Sequence, residues 1–387
     1  MTADAFRSAD RRGLAFARAA VAAVFLVAGA AMGVWAAHIP LLKAGLGLDD
    51  AALGVVLLAM GVGAVTSMPP TGLLLHRFGA VTMTVAGGFA LAAALALPPL
   101  APSYPTLLAA AFLIGLAMGA VDVSMNAQAA AIEKAWGRPI MSSIHAFFSI
   151  GGLVGASAAG GLIALEAGAV AGMGLSALAL AAVTAGAATR LSIATHAAPD
   201  EPHGLRLPRG AVLGLGALAL AAFVAEGAMI DWSAVFMVQA IGATPAVAAG
   251  GYAAFSAAMT FARLTGDAFV ARLGALRAVQ VSGVVAAAGL ALVAAAPTPL
   301  VAIAGFVVTG LGFANVVPVL FSASTRLPGV APGAALAMVA TMAYGGGLMG
   351  PPFIGFLAHA AGLRAALVPL VIAALAIALF VRRAARI

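Results

Sequence analysis

The chain of 387 residues contains no cysteine. Disulfides, thiolate metal sites and thiol nucleophiles are therefore excluded together. Charge is scarce as well: Asp, Glu, Lys and Arg make up 8% of residues, and aromatics only 6%. What remains is apolar, at 64% hydrophobic with a mean hydropathy of +1.14. A water-soluble fold cannot bury that much apolar surface, whereas a bilayer receives it. The net charge of +7 would point to nucleic acid in a soluble domain. Here the basic residues stand singly between apolar runs, so no nucleic-acid partner is expected. No His-x-x-x-His pair or carboxylate cluster indicates a metal, and no cofactor motif is present.

Apolar runs of about 20 residues cross a bilayer as helices, because a helix satisfies its own backbone. Twelve such runs are read, at 17–42, 50–75, 80–98, 105–131, 140–165, 168–189, 210–237, 245–270, 276–296, 300–324, 333–358 and 363–382. Asp49 and Asp50 are candidate N-caps for the second. The longest polar interval, 190–209, falls midway and reads as a linker between residues 1–189 and 210–387.

The two halves repeat each other. His76-Arg77-Phe78-Gly79 closes one apolar run, and Ala271-Arg272-Leu273-Gly274 closes another at a constant offset. Gly115-Leu116 recurs as Gly310-Leu311, and Gly151-Gly152-Leu153-Val154-Gly155 as Gly346-Gly347-Leu348-Met349-Gly350. Three blocks in one register indicate a duplicated half, and two related membrane bundles make a solute pathway at their junction. Ala31-Met32-Gly33-Val34-Trp35 has a counterpart in Ala228-Met229-Ile230-Asp231-Trp232. The first run is therefore part of the repeat, not a cleaved signal.

Orientation follows from Lys and Arg placement. With the N-terminus inside, cytoplasmic segments hold Arg7, Arg11, Arg12, Arg18, Arg77, Lys134, Arg138, Arg190, Arg206, Arg209, Arg272, Arg277, Arg326, Arg382, Arg383 and Arg386. Outer loops hold only Lys43 and Arg364. Both termini are expected in the cytoplasm, in the inner membrane.

Polar residues inside the runs are unevenly placed. They are Trp35 and His38 in the first run, Asp122, Asn126 and Gln128 in the fourth, and His145 in the fifth. The seventh has Glu226, Asp231 and Trp232, the eighth Arg263 and Asp267, the tenth Asn315, and the eleventh Tyr344. The third, sixth, ninth and twelfth have essentially no ionisable group. Charge facing lipid is costly, so the polar runs should face a protein interior or aqueous cavity and every third run should face lipid.

Twelve runs, two halves, a central linker and a polar loop between the second and third runs resemble the major facilitator superfamily. The loop Gly72-Leu73-Leu74-Leu75-His76-Arg77-Phe78-Gly79-Ala80 is similar to that family's motif, with histidine for its aspartate and alanine for its last basic residue. The resemblance implies an all-α membrane protein with twelve transmembrane helices in two pseudo-symmetric six-helix bundles. Asp122-Val123-Ser124-Met125-Asn126 resembles the acidic-x-x-x-Asn element of the fucose-permease-like branch, where the acid is tied to proton coupling and sugar contact.

Asp122 and Asn126 lie one turn apart on one helix face. A carboxyl group at mid-depth can take a proton from one side and release it to the other, so Asp122 is the first candidate proton carrier and Glu226 the second. The bland alternatives for Asp122 are a structural hydrogen bond to a neighbouring helix or a permanent ion pair with Arg263. Trp35, Asn126, Gln128, Trp232, Asn315 and Tyr344 are candidates for solute contact. His38, Arg77, His145, Asp231, Arg263, Asp267 and Arg272 are candidates for gating; for Arg263 an anion clamp on a substrate carboxylate is a second functional reading, and an Arg263–Asp267 i, i+4 bridge is the bland alternative. The expectation is a monomeric proton-coupled symporter of a small polar solute, a sugar or sugar-like compound, working by alternating access. The alternative is a proton-driven exporter of drugs or amphipathic metabolites. An enzyme is not expected, since no nucleophile–base pair appears.

Overall fold

The computed structural model describes residues 3–137, 140–191, 210–327, 330 and 332–384. Beyond Leu191 the expected linker lies outside the described residues, as do Arg138 and Arg386; the side chains of Arg7, Arg11 and Arg12 do too. Among the described residues every regular element is helical. In chain order these are α1 (Ala3–Gly45), α2 (Asp50–Leu95), a 3₁₀ turn (Pro98–Leu100), α3 (Tyr104–Trp136), α4 (Met141–Ala164) and α5 (Gly168–Ala188). The second half has α6 (Ala211–Gln239), α7 (Pro245–Leu273), α8 (Ala275–Ala295), α9 (Pro299–Phe313), α10 (Val316–Ser324), α11 (Pro332–Ala361), α12 (Leu363–Ala366) and α13 (Val368–Ala384).

Nine helices among the described residues are long and apolar enough to cross a membrane. One of these, Asp50–Leu100, holds two spans, and α7 and α11 bring the set to the twelve expected. The 46 residues of α2 would extend roughly 70 Å at 1.5 Å per residue, more than two bilayer cores of about 30 Å each. Gly79, at φ 80° and ψ 156°, breaks it between the two expected runs. A residue with a side chain rarely adopts that backbone conformation.

Two runs expected as single helices are divided, and proline explains both. Pro318 has no N–H for the carbonyl of Ala314, and α9 gives way to α10 at Ala314–Asn315. Pro369 likewise leaves the carbonyl of Ala365 without its donor, and α12 is separated from α13 at Leu367.

Helix ends are tied locally. Asp49 caps α2 by accepting from the backbone N–H of Ala52 at 2.7 Å. Asp50 instead pairs with Lys43 at 2.5 Å. Glu133 reaches past the end of α3 and accepts from the N–H groups of Ile140 and Met141, both at 2.8 Å, where α4 begins. That places a carboxylate at the positive end of the α4 dipole.

The duplication is visible in the backbone. Gly79 and Gly274 share one conformation, at φ 80°, ψ 156° and φ 76°, ψ 149°. Gly47 and Gly242 both have positive φ, as do Gly168 and Gly362. The packing repeats too. A methyl group on Gly115 would collide with the carbonyl of Met60, and one on Gly310 with that of Phe255. Gly151 abuts the carbonyl of Leu26, and Gly346 that of Leu220. Small residues let these helices approach closely, which is how helices associate where lipid removes the hydrophobic drive.

The chain forms two compact units. One comprises Met1–His38 with Ala59–Pro199, the other Ile39–Leu58 with Asp200–Ile387. The corner between the first two spans thus belongs with the second unit. There the backbone of Gly54 packs on Pro352 and Gly355 of α11, and Asp49 lies 3.6 Å from His359.

Candidate functional site

The first unit holds a hydrogen-bonded chain of side chains from two helices. Asn126 donates through Nδ2 to the backbone oxygen of Asp122 at 2.9 Å and to its carboxylate Oδ1 at 3.2 Å. The i, i+4 spacing on α3 makes both bonds possible. His145 of α4 approaches the remaining amide oxygen of Asn126, with Nε2 at 3.1 Å. Since Oδ1 of Asn126 only accepts, Nε2 of His145 donates. The bonds therefore run in one direction, from imidazole through amide to carboxylate. Phe25 of α1 stands edge-on to the imidazole at 4.8 Å and fixes its plane.

These groups sit opposite the greasy sides of their helices. Leu113, nine residues before Asp122, is exposed, as is Val154, nine residues after His145. Nine residues are about two and a half turns at 3.6 per turn, so each polar group and its exposed apolar counterpart lie on opposite faces. The second unit repeats this. Ala217 is exposed nine residues before Glu226, and Phe353 nine residues after Tyr344.

In the second unit Arg263 of α7 pairs with Glu226 of α6 at 3.5 Å. The carboxylate shown beside Arg263 is thus that of Glu226, in place of Asp122; Asp267, the partner its spacing offered, is exposed a turn further on. The other carboxylate oxygen of Glu226 is buried without a hydrogen bond. Tyr252, Ser256, Thr260, Arg263 and Asp267 recur every three or four residues along α7 and form a polar stripe. Its members are bonded along the helix, Thr260 donating to the Ser256 carbonyl at 2.8 Å. Phe223, one turn before Glu226, meets the ring of Tyr344 edge-on at 5.4 Å and stacks with Phe321 at 6.4 Å. This three-ring cluster from α6, α11 and α10 escaped the sequence reading, as did the stripe on α7. The stripe was legible from helical periodicity; the cluster, drawn from three separated helices, was not.

Other candidates are held differently. Trp35 and Trp232, repeat mates, are both almost fully buried with indole N–H groups lacking a hydrogen bond. His38 is buried, takes part in a 2.8 Å contact with the carbonyl of Val34, and lies against Gly172 of α5. Gln128 is buried on α3, and Asp231 is buried on α6 with Oδ1 unbonded. Asn315 is wedged at the α9–α10 break, where it faces Gly266 and donates to the carbonyl of Ala262 at 3.4 Å. It ties α10 to α7. Arg77 and Arg272 are exposed at the two repeated glycine turns, Arg77 over the ring of Phe78 at 5.2 Å.

The two cations that stand against the charge asymmetry are both engaged. Lys43 is buried in its pair with Asp50. Arg364 donates to the carbonyls of Ala294 at 2.6 Å, Ala296 at 2.7 Å and Ala240 at 3.2 Å, closing the ends of α6 and α8. Such bonds to terminal carbonyls suit a cation at the negative end of a helix.

A helical chain of twelve spans, with a fold repeated in its halves and intramembrane ionisable groups set away from the lipid sides, is built as a membrane transporter. The profile of the Major Facilitator Superfamily matches residues 20–331, and the chain belongs to that superfamily. It is 37% identical to an uncharacterised MFS-type transporter of Yersinia pestis over 88% of this chain and 89% of that one. It is 38% identical to an uncharacterised transporter, y4wD, of Sinorhizobium fredii, over 89% and 92%. With the membrane protein MosC of Rhizobium meliloti the identity is 34% over 90% and 85%. Among solved structures, a variant of the nucleoside transporter NupG superimposes with a TM-score of 0.76 at 15% identity, over 95% of this chain and 99% of that one. A bacterial homologue of the human lysosomal transporter Spinster gives 0.70 at 16%, over 96% and 97%. These structures share the fold.

Proposed function

We propose that the protein is a proton-coupled symporter of a small polar solute, with sugars and sugar-like compounds as the leading class. It works by alternating access between bundles 1–189 and 210–387, as a monomer in the inner membrane with both termini in the cytoplasm. The observation that carries this reading is the directed His145–Asn126–Asp122 chain. It ends on a carboxylate set away from the lipid side of α3. Among the described residues no cation pairs with Asp122, and such an intramembrane acid is expensive to keep unless it works; reversible protonation is the work such acids do. The likeness of Asp122-Val123-Ser124-Met125-Asn126 to the fucose-permease-like element supports the sugar class. The nucleoside named for NupG is a base-bearing sugar derivative and belongs in the same solute screen.

The test is transport by cells expressing the protein in weakly buffered suspension. A transported sugar should alkalinise the medium as it enters. Asp122→Asn keeps a side chain that accepts from Asn126 but cannot carry a proton. It should abolish uphill accumulation while sparing exchange of labelled for unlabelled solute. Unchanged accumulation removes Asp122 from the mechanism. Absence of alkalinisation with every sugar, together with drug hypersensitivity on deletion, establishes the exporter alternative instead.

A further inference from the structure

We propose that Arg263 anchors a carboxylate of the transported solute, that Glu226 occupies the anchor until a solute arrives with a proton, and that the rings of Phe223, Phe321 and Tyr344 receive the solute's apolar face. This rests on the transporter reading above and narrows its solute to an acid with a flat apolar side, a sugar acid or an aryl carboxylate.

Arg263 lies well inside α7, whose basic last turn is Arg272. Its contact with Glu226 is long. At 3.5 Å it exceeds the 2.7–2.9 Å of a well-formed charged hydrogen bond. Only one carboxylate oxygen is within reach, and the other is buried without a bond. Both side chains are about a fifth exposed, at 20% and 19%, so a ligand can reach them. A guanidinium offers five donors in a planar fork that fits a carboxylate two-fold. A solute carboxylate gripped by that fork is a better partner than Glu226 as it stands.

Charge balance supplies the coupling. If Glu226 leaves Arg263 while still ionised, two opposite charges lose each other inside the bundle, which is strongly unfavourable. If Glu226 takes a proton as it leaves, Arg263 loses the negative charge of that carboxylate until another anion replaces it. Proton on Glu226 and carboxylate on Arg263 then restore the original net charge, so each favours the other. The groups surrounding Glu226 agree with this. Arg263 and Tyr252 face it from α7, and Asp231 follows along α6. Of the other helices packed on α6, α9 and α10 carry no ionisable side chain. From α11 come Tyr344 and His359, and from α13 Arg382 and Arg383. His359, Arg382 and Arg383 are exposed, and His359 pairs with Asp49. Among the described residues, Arg263 is thus the cation that Glu226 answers to.

The rings give the second half of the recognition. Phe223 is three residues before Glu226, one turn along the same helix. Tyr344 is 43% exposed on the face of α11 opposite Phe353, away from the lipid side. Ring faces of this kind stack on the C–H face of a sugar or on another aromatic ring.

The test is binding to the purified full-length protein in detergent, by thermal shift and calorimetry, with no proton gradient. The probes are glucuronate, benzoate, glucose and glucosamine at pH 5.5 and pH 8. At least one of the two acids should bind, at least tenfold more tightly at the lower pH, and glucose and glucosamine should not. Glucuronate alone assigns a sugar acid, benzoate alone an aryl acid. Glu226→Gln should bind the acid at both pH values with the pH dependence gone. Arg263→Gln should lose binding, and Arg263→Lys should recover part of it. The proposal is overturned if neither acid binds, if glucose or glucosamine binds as well as the acids, if Glu226→Gln keeps the pH dependence, or if Arg263→Gln still binds. Because no gradient is involved, such a failure is separate from failure of the Asp122→Asn accumulation test.

Discussion

Two adjacent glycines in α11 should respond in opposite ways to the same added methyl. A Cβ at Gly346 would stand 2.5 Å from the carbonyl oxygen of Leu220 and 2.9 Å from its Cγ. Ordinary contact begins at 3.4 Å, so the backbones of α6 and α11 would have to part by about 0.9 Å. Overpacking of that kind costs about 1–3 kcal/mol. At Gly345 a Cβ meets nothing within 4 Å. There alanine only restricts the unfolded chain and favours the helix, by about 0.5–1 kcal/mol. The two single-methyl variants should therefore differ by roughly 1.5–4 kcal/mol, with Gly345→Ala above the parent and Gly346→Ala below it. The assay is thermal unfolding of the purified protein under one detergent condition, followed by intrinsic fluorescence. Gly151→Ala, the repeat mate pressed on Leu26, should behave like Gly346→Ala. Equal midpoints for Gly345→Ala and Gly346→Ala, or the reverse order, refute the reading that close backbone contact fixes this helix pair.

Arg364→Ala removes three donated bonds at the ends of α6 and α8, and should lower the unfolding midpoint by more than Arg272→Ala, a surface change expected within about 0.5 kcal/mol of the parent; Arg364→Lys should recover part of the loss. The absence of native cysteine makes topology directly measurable. Ala44→Cys should react with a membrane-impermeant maleimide from outside intact cells, and His76→Cys only after permeabilisation. Labelling with the sidedness reversed would overturn the cytoplasmic placement of the termini.

The helical spans were legible because backbone satisfaction in lipid leaves a long apolar segment few alternatives to a helix. The breaks at Pro318 and Pro369 were equally present in the chain, but reading them required knowing which carbonyl each proline leaves without a donor. Within the site, Asp122 and Asn126 were joined by spacing alone, since one turn of helix brings them together. His145 was singled out but not connected to them, because its distance from Asn126 depends on how α4 packs on α3. Arg263 shows the same limit. Its sequence neighbour Asp267 was the partner spacing offered, and the pair it makes is with Glu226, from a helix that periodicity does not locate.

The chain by itself determined the medium, the helices, the duplication and the list of polar groups that must avoid lipid, because these follow from apolar run length, glycine register and the cost of charge in hydrocarbon. Tertiary structure alone decided which of those groups meet. The Asn126–His145 contact, the Glu226–Arg263 pair, the Phe223–Tyr344–Phe321 cluster and the Arg364 clamp each join residues from different helices. Helix-to-helix contact is set by close packing over small residues, and that geometry has no period along the sequence.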